Sequence, residues 1–147
     1  MRRILGLDYG RRRVGVAVSD LLGMTAQPLA TWSGLSDAEL VKKIDSLISE
    51  MDIRQVVLGD PLTTKGESGT MSERVRRFAT QLSRAISVPV QLQDERLTTV
   101  EAHRILRDVG RKPSRDKEIV DRVAAVLILQ TYLDRHSVSR PETEEDD

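Results

Sequence analysis

The sequence predicts an α/β fold: a mixed five-stranded sheet, three antiparallel strands then two parallel ones, with helices on both faces. Three observations predict it. The first 32 residues hold three strand-like runs with no helical spacing among them. From Ser36 the apolar residues switch to helical spacing. From residue 55 onward, short apolar runs alternate with amphipathic helical segments, as in parallel βαβ units.

The elements follow in order. Residues 2–9 and 13–19 are strands joined by a short turn at Gly10, so they read as a hairpin. Residues 26–32 form a third strand, which Pro28 confines to an edge or a strand start. Ser36 and Glu39 have the spacing of a capping box, and Leu40, Ile44, Leu47, Ile48 and Met51 make the apolar stripe of the helix that follows. Residues 55–58 form a strand ending at Gly59-Asp60-Pro61, and residues 61–70 are expected to form a mobile loop. A helix over 71–86 buries Val75, Phe78, Ala79, Leu82 and Ile86. A strand over 88–92 runs into Gln93-Asp94-Glu95-Arg96. A third helix, capped by Thr98 or Thr99, extends to Val109. A basic loop with Pro113 leads to a last helix over 116–135, apolar from Val123 to Leu129. Residues 1–137 are read as one domain and 138–147 as an acidic, disordered tail.

Composition bounds the function. Without cysteine there is no thiolate, redox or disulfide chemistry. No run approaches the roughly 20 apolar residues of a membrane helix, and the start is too short for a signal peptide, so a cytoplasmic protein with no membrane partner is expected. Formal net charge is zero, but the last seven residues hold five acids and no bases. Without them 23 bases face 18 acids. Arginines and lysines cluster at 11–13, 74–77, 104–107 and 111–117, which suits an anionic partner such as nucleic acid.

Carboxylates at strand ends carry the chemical signal. In sheets of this kind, ligands bind beyond the carboxyl ends of the parallel strands. Asp8 sits at the end of the first strand's apolar run, and Asp60 and Glu95 each fall just past a strand end. Asp8 could equally be a turn residue, since Asp-x-Gly suits tight turns. Asp121 shares a helix face with Ala124, Ala125 and Ile128, the face expected to pack on the sheet. An acid facing inward costs several kcal/mol unless it is paired or bound to a metal. Clustered carboxylates repel one another, and Mg²⁺ or Mn²⁺ would neutralise them and serve phosphodiester hydrolysis. Asp60 admits two readings, an extra ligand or a capped turn, and the turn is favoured. His103 and His136 have no partner at ligand spacing, and surface or packing roles are expected. Ser19 and Thr98 lack a base to activate them.

Three ordered motifs carry a resemblance. Residues 8–20, starting Asp8-Tyr9-Gly10-Arg11-Arg12-Arg13, resemble the first motif of the YqgF/RuvX family. Residues 94–102, starting Asp94-Glu95-Arg96, resemble its second, and residues 117–133, starting at Lys117, its third. The resemblance covers residues 2 to about 135 and implies a ribonuclease-H-like fold with a nuclease site. It carries over Asp8, Glu95 and Asp121 as catalytic, metal-binding carboxylates, with Mg²⁺ or Mn²⁺ as cofactor. It implies 5′-end processing of pre-16S ribosomal RNA, hence ribosome biogenesis, and by fold analogy Holliday-junction resolution. Arg11, Arg12, Arg13, Arg96 and Lys117 are the expected nucleic-acid contacts. Two departures stand out: Asp60 replaces a neutral residue, and Thr63-Thr64 replaces a frequent Asn in the loop.

The leading expectation is a metal-dependent nuclease acting on structured RNA or on branched or single-stranded DNA, as a monomer or weak homodimer. A non-catalytic nucleic-acid-binding ribosome-assembly factor is the second. A sugar-kinase or actin-like phosphotransferase is the third, but that architecture needs two such domains around ATP and this chain has room for one. The chain has only four aromatic rings besides histidine, so recognition by backbone and shape is expected over base stacking.

Overall fold

The computed structural model describes residues 3–62, 69–95, 98–112 and 114–138, without the side chains of Thr98, Thr99, Ser137 and Val138. The strands are β1 (Arg3–Tyr9), β2 (Arg13–Ser19), β3 (Ala26–Ser33), β4 (Ile53–Asp60) and β5 (Val90–Asp94). The helices are α1 (Asp37–Met51), α2 (Thr70–Ala85), α3 (Thr98–Asp108) and α4 (Lys117–Val138). The sheet order is β3-β2-β1-β4-β5. β1 pairs antiparallel with β2 and parallel with β4; β2–β3 is antiparallel and β4–β5 parallel. This is the mixed sheet the sequence predicts, with β1 at its centre and the Pro28 strand at its edge.

Alternation along β1 divides the core. Leu5, Leu7 and Tyr9 face one side, where Leu40, Ile44 and Ile48 of α1 and Val75, Phe78 and Leu82 of α2 cover them. Ile4 faces the other side and packs with Ala17, Val57 and the α4 residues Ala125, Ile128 and Leu129. The α1 capping box forms as the spacing requires: Ser36 Oγ accepts from the Glu39 amide, and the Glu39 carboxylate accepts from the Ser36 amide.

One difference from the sequence reading has a physical cause. β5 begins at Val90 rather than at 88, because Pro89 has no N–H to donate to the ladder, although its carbonyl still accepts from Val56 N at 2.9 Å. α3 does not cover the sheet. Its buried Ala102 and Leu106 pack on Val120 and Ala124 of α4, so α3 is a second layer outside α4. The loop over 63–68, Arg96 and the tail from residue 139 lie outside the described residues, as do the side chains of Thr98 and Thr99 that were expected to cap α3. Among the described residues, no helix is long and apolar enough to cross a membrane.

Candidate active site

The site exists because α4 lies unusually close to the sheet. Gly15 of β2 stands opposite Asp8 of β1 in the antiparallel register. A Cβ on Gly15 would lie 1.9 Å from the backbone oxygen of Asp121, so only glycine lets α4 settle there. Asp8 lies on the same face of β1 as Ile4, the α4 side, and Asp121 on α4 therefore comes down beside it. On β4 a Cβ at Gly59 would lie 2.9 Å from Glu95 Cδ, which places the Glu95 carboxyl over that glycine. The Glu95 amide donates to Asp60 O at 3.1 Å, extending the parallel ladder one step beyond β5.

The electrostatics tie the three acids together. Asp8 is raised to about 7, first by burial, then by repulsion from Asp121, with Arg13 acting in the opposite direction. Glu95, buried, is raised to about 8 by burial and then by repulsion from Asp8, Asp60 and Asp94. Asp121 is turned to Arg13, whose Nε donates to its Oδ2 at 2.5 Å. Both raised acids bind more protons folded than unfolded across roughly pH 4 to 8, so they subtract stability as pH rises through that window.

Asp60 proves to be a structural anchor. It is 4 % exposed. Its Oδ1 accepts from Ser72 Oγ at 2.5 Å, and its Oδ2 accepts from Arg76 Nε and Nη2 at 3.1 and 2.9 Å. Those partners lie on α2, on the opposite side of the sheet from α4. Asp60→Asn is expected to lower stability by about 2 kcal/mol, less than for a fully buried pair because Arg76 is half exposed. It should leave the cleavage rate within about threefold; urea denaturation and single-turnover kinetics check the two halves separately.

The expected basic residues separate into groups. Arg76 is committed to Asp60, and Arg74 lies over the Tyr9 ring at 5.9 Å, so neither joins the site. Arg11 is exposed and lines a smaller hollow with Trp32 and Asp37. Arg12, Arg13 and Lys117 line a cleft of about 860 Å³ that opens beside Asp121. His103 lines it too, which the sequence reading missed. The signal was present: His103 and Arg107 are four apart, one step round α3 from the buried pair Ala102 and Leu106. His136 instead stacks on Tyr132, with ring centroids 3.9 Å apart. Buried Gln93, two residues before Glu95, has an Nε2 without a hydrogen-bond partner among the described residues.

The donor set suits a hard divalent cation: carboxylate oxygens with excess negative charge and no soft ligand. Among the described residues no three such groups yet stand together at ligand distances. Arg13 neutralises Asp121 and would compete with a cation for it.

The model of the RuvX family, described as Holliday junction resolvase, matches residues 2–135. This chain belongs to the RuvX family. A relative from Chloroflexus aggregans named "Putative pre-16S rRNA nuclease" is 45% identical over 131 residues, covering 89% of this chain and 92% of the relative. One of the same name from Syntrophus aciditrophicus is 48% identical over 132 residues, covering 90% and 88%. Among solved structures, Thermus thermophilus RuvC in complex with a Holliday junction substrate aligns with a TM-score of 0.56 at 13% identity, covering 93% of this chain and 96% of that one. The fowlpox virus Holliday junction resolvase aligns at 0.57 with 9% identity, covering 91% and 99%. At such low identities these two likenesses establish the shared ribonuclease-H-like fold of this RuvX member.

Proposed function

We propose that this RuvX-family protein is a metal-dependent nuclease that hydrolyses phosphodiester bonds during 5′-end processing of pre-16S ribosomal RNA. The observation that carries the reading is the pairing of opposites: a nest of repelling carboxylates, Asp8, Glu95 and Asp121, directly beside a cationic cleft. Acids alone would repel a polyanion, and bases alone would bind it without cutting. The names borne by relatives covering about nine-tenths of the chain support the substrate.

Asp8, Glu95 and Asp121 would hold Mg²⁺ or Mn²⁺. Bound there, such a cation supplies charge to the phosphoryl oxygens and makes water more acidic. The chain's own residues do the rest. α4 and the strand ends hold the carboxylates in place. Arg13 and Lys117 orient the backbone from the cleft side. Gln93 offers a buried amide donor near Glu95. Arg13, held at the cleft by Asp121, would offer its guanidinium N–H groups to a backbone phosphate.

A second reading, Holliday-junction resolution, is favoured by the family description itself. Side-by-side cleavage of a 5′-extended 16S precursor, single-stranded DNA and a four-way junction distinguishes them. Faster cutting of the precursor RNA supports the proposal, and exclusive cutting of the junction replaces it with the second reading. Salt-sensitive binding with no cleavage of any of the three would leave a non-catalytic assembly factor.

A further inference from the structure

The cleft beside Asp121 has a second wall that the catalytic reading does not need. Across from Arg12 in the β1–β2 turn and Lys117 at the start of α4 stand His103 and Arg107 of α3, followed by Arg111 and Lys112 in the connection to α4. Arg12, Arg107, Arg111, Lys112 and Lys117 are exposed. The described residues give Arg12, Arg107, Lys112 and Lys117 no carboxylate partner, and Arg111 has only a loose contact with Asp116 at 3.7 Å. Like charges facing across a cleft repel one another, so the arrangement raises the energy of the empty state and favours a polyanion within.

The position of α3 reinforces this. It packs only its Ala102–Leu106 stripe onto α4 and leaves the adjacent His103–Arg107 stripe to the cleft. Among the described residues α3 buries its apolar stripe on α4 and serves as the wall of a groove. No Phe, Tyr or Trp lines it, so it offers bases no stacking platform and reads backbone charge.

We propose that α3 and the α3–α4 connection form a phosphate-gripping groove, in which Arg107, Arg111 and Lys112 hold the nucleic-acid backbone flanking the bond placed at Asp8, Glu95 and Asp121. The groove deepens the nuclease reading and rests on it only for the position of the cut bond. These three residues position substrate and take no part in bond breaking.

Binding of a fluorescein-labelled single-stranded RNA, in EDTA so that nothing is cut, is measured by anisotropy from 50 to 300 mM KCl. The Arg107→Ala/Arg111→Ala/Lys112→Ala protein is compared with wild type. A control, Lys42→Ala/Arg77→Ala/Arg84→Ala, removes the same charge from exposed positions on α1 and α2, across the sheet. Each lost phosphate contact should reduce the slope of log K against log[salt] by about 0.7, so the cleft variant should lose about 2 and bind at least about tenfold more weakly at 100 mM salt. The control should change the slope by less than about 0.5. With Mg²⁺ or Mn²⁺ present, the cleft variant should raise KM for cleavage while kcat stays within about threefold. Wild-type affinity and slope in the cleft variant, or losses matched by the control, overturn the groove. The expected binding losses with no cleavage by any protein uphold the groove and overturn the nuclease reading.

Discussion

Asp8→Asn is expected to cut substrate at least about 10³-fold more slowly than wild type, which at 1.36 kcal/mol per tenfold is a loss of about 4 kcal/mol of transition-state stabilisation. The expectation follows from position. Asp8 lies near the end of the central strand, faces α4, and is the acid whose charge reaches both Asp121 and Glu95. Asparagine keeps its size but removes a charged oxygen donor, so cation affinity falls while the fold is retained. Glu95→Gln should behave alike. Because the residues act as a unit, the double variant should be little slower than either single one. Single-turnover cleavage in Mg²⁺ and in Mn²⁺ measures this. A variant of Asp8 as fast as wild type in both ions would remove the carboxylates from the chemistry. A twofold change would recast Asp8 as a turn residue.

Gly15→Ala is expected to destabilise the protein by about 3 kcal/mol or more, at the upper end of overpacking effects. The added methyl would meet the backbone of α4 at Asp121, not the end of a side chain that could swing away. Either α4 lifts from β2 and β1, taking Ala125, Ile128 and Leu129 from the core with it, or the strand bends. Both outcomes also separate Asp121 from Asp8, so activity should fall beyond what stability alone explains. Gly69→Ala serves as the comparison: among the described residues nothing lies within 4 Å of a Cβ there and its φ is −121°, so a loss of no more than about 1 kcal/mol, that of alanine at a helix N-cap, is expected. Urea denaturation of the two variants gives the contrast. Equal stability of both would show that the close approach of α4 is easily relaxed.

Much of this was legible in the chain because local signals agree with the fold. Alternating valines mark β2, Ser36 and Glu39 announce α1, and the turn residues after β4 and β5 end those strands near the predicted places. The inward face of α4 was readable from Ala125 and Ile128 at fixed offsets from Asp121. What escaped was non-local. Gly59 and Asp60 are neighbours in sequence but serve opposite faces of the sheet. That is why Asp60 ended on Ser72 and Arg76 while Glu95 ended over Gly59. Arg13 and Asp121 are 108 positions apart, so their pairing was invisible, and Arg13 looked like a free backbone contact. The placement of α3 on α4 rests on α4 covering that face of the sheet, and periodicity does not report which helix does so.

Thermal melting as a function of pH and Mn²⁺ shows whether Asp8, Glu95 and Asp121 act as one cation-binding site. In EDTA, the raised acids should make wild type less stable at pH 8 than at pH 5.5, by on the order of 4 kcal/mol or about 10 °C in Tm. Asp8→Asn should flatten that slope and melt higher than wild type at pH 8. Added Mn²⁺ at pH 8 should raise the wild-type Tm saturably, as expected for a ligand of the native state, and should do little for Asp8→Asn or Glu95→Gln. A Mn²⁺-induced rise of equal size in wild type and both variants would contradict the account, because the cation would then be bound elsewhere.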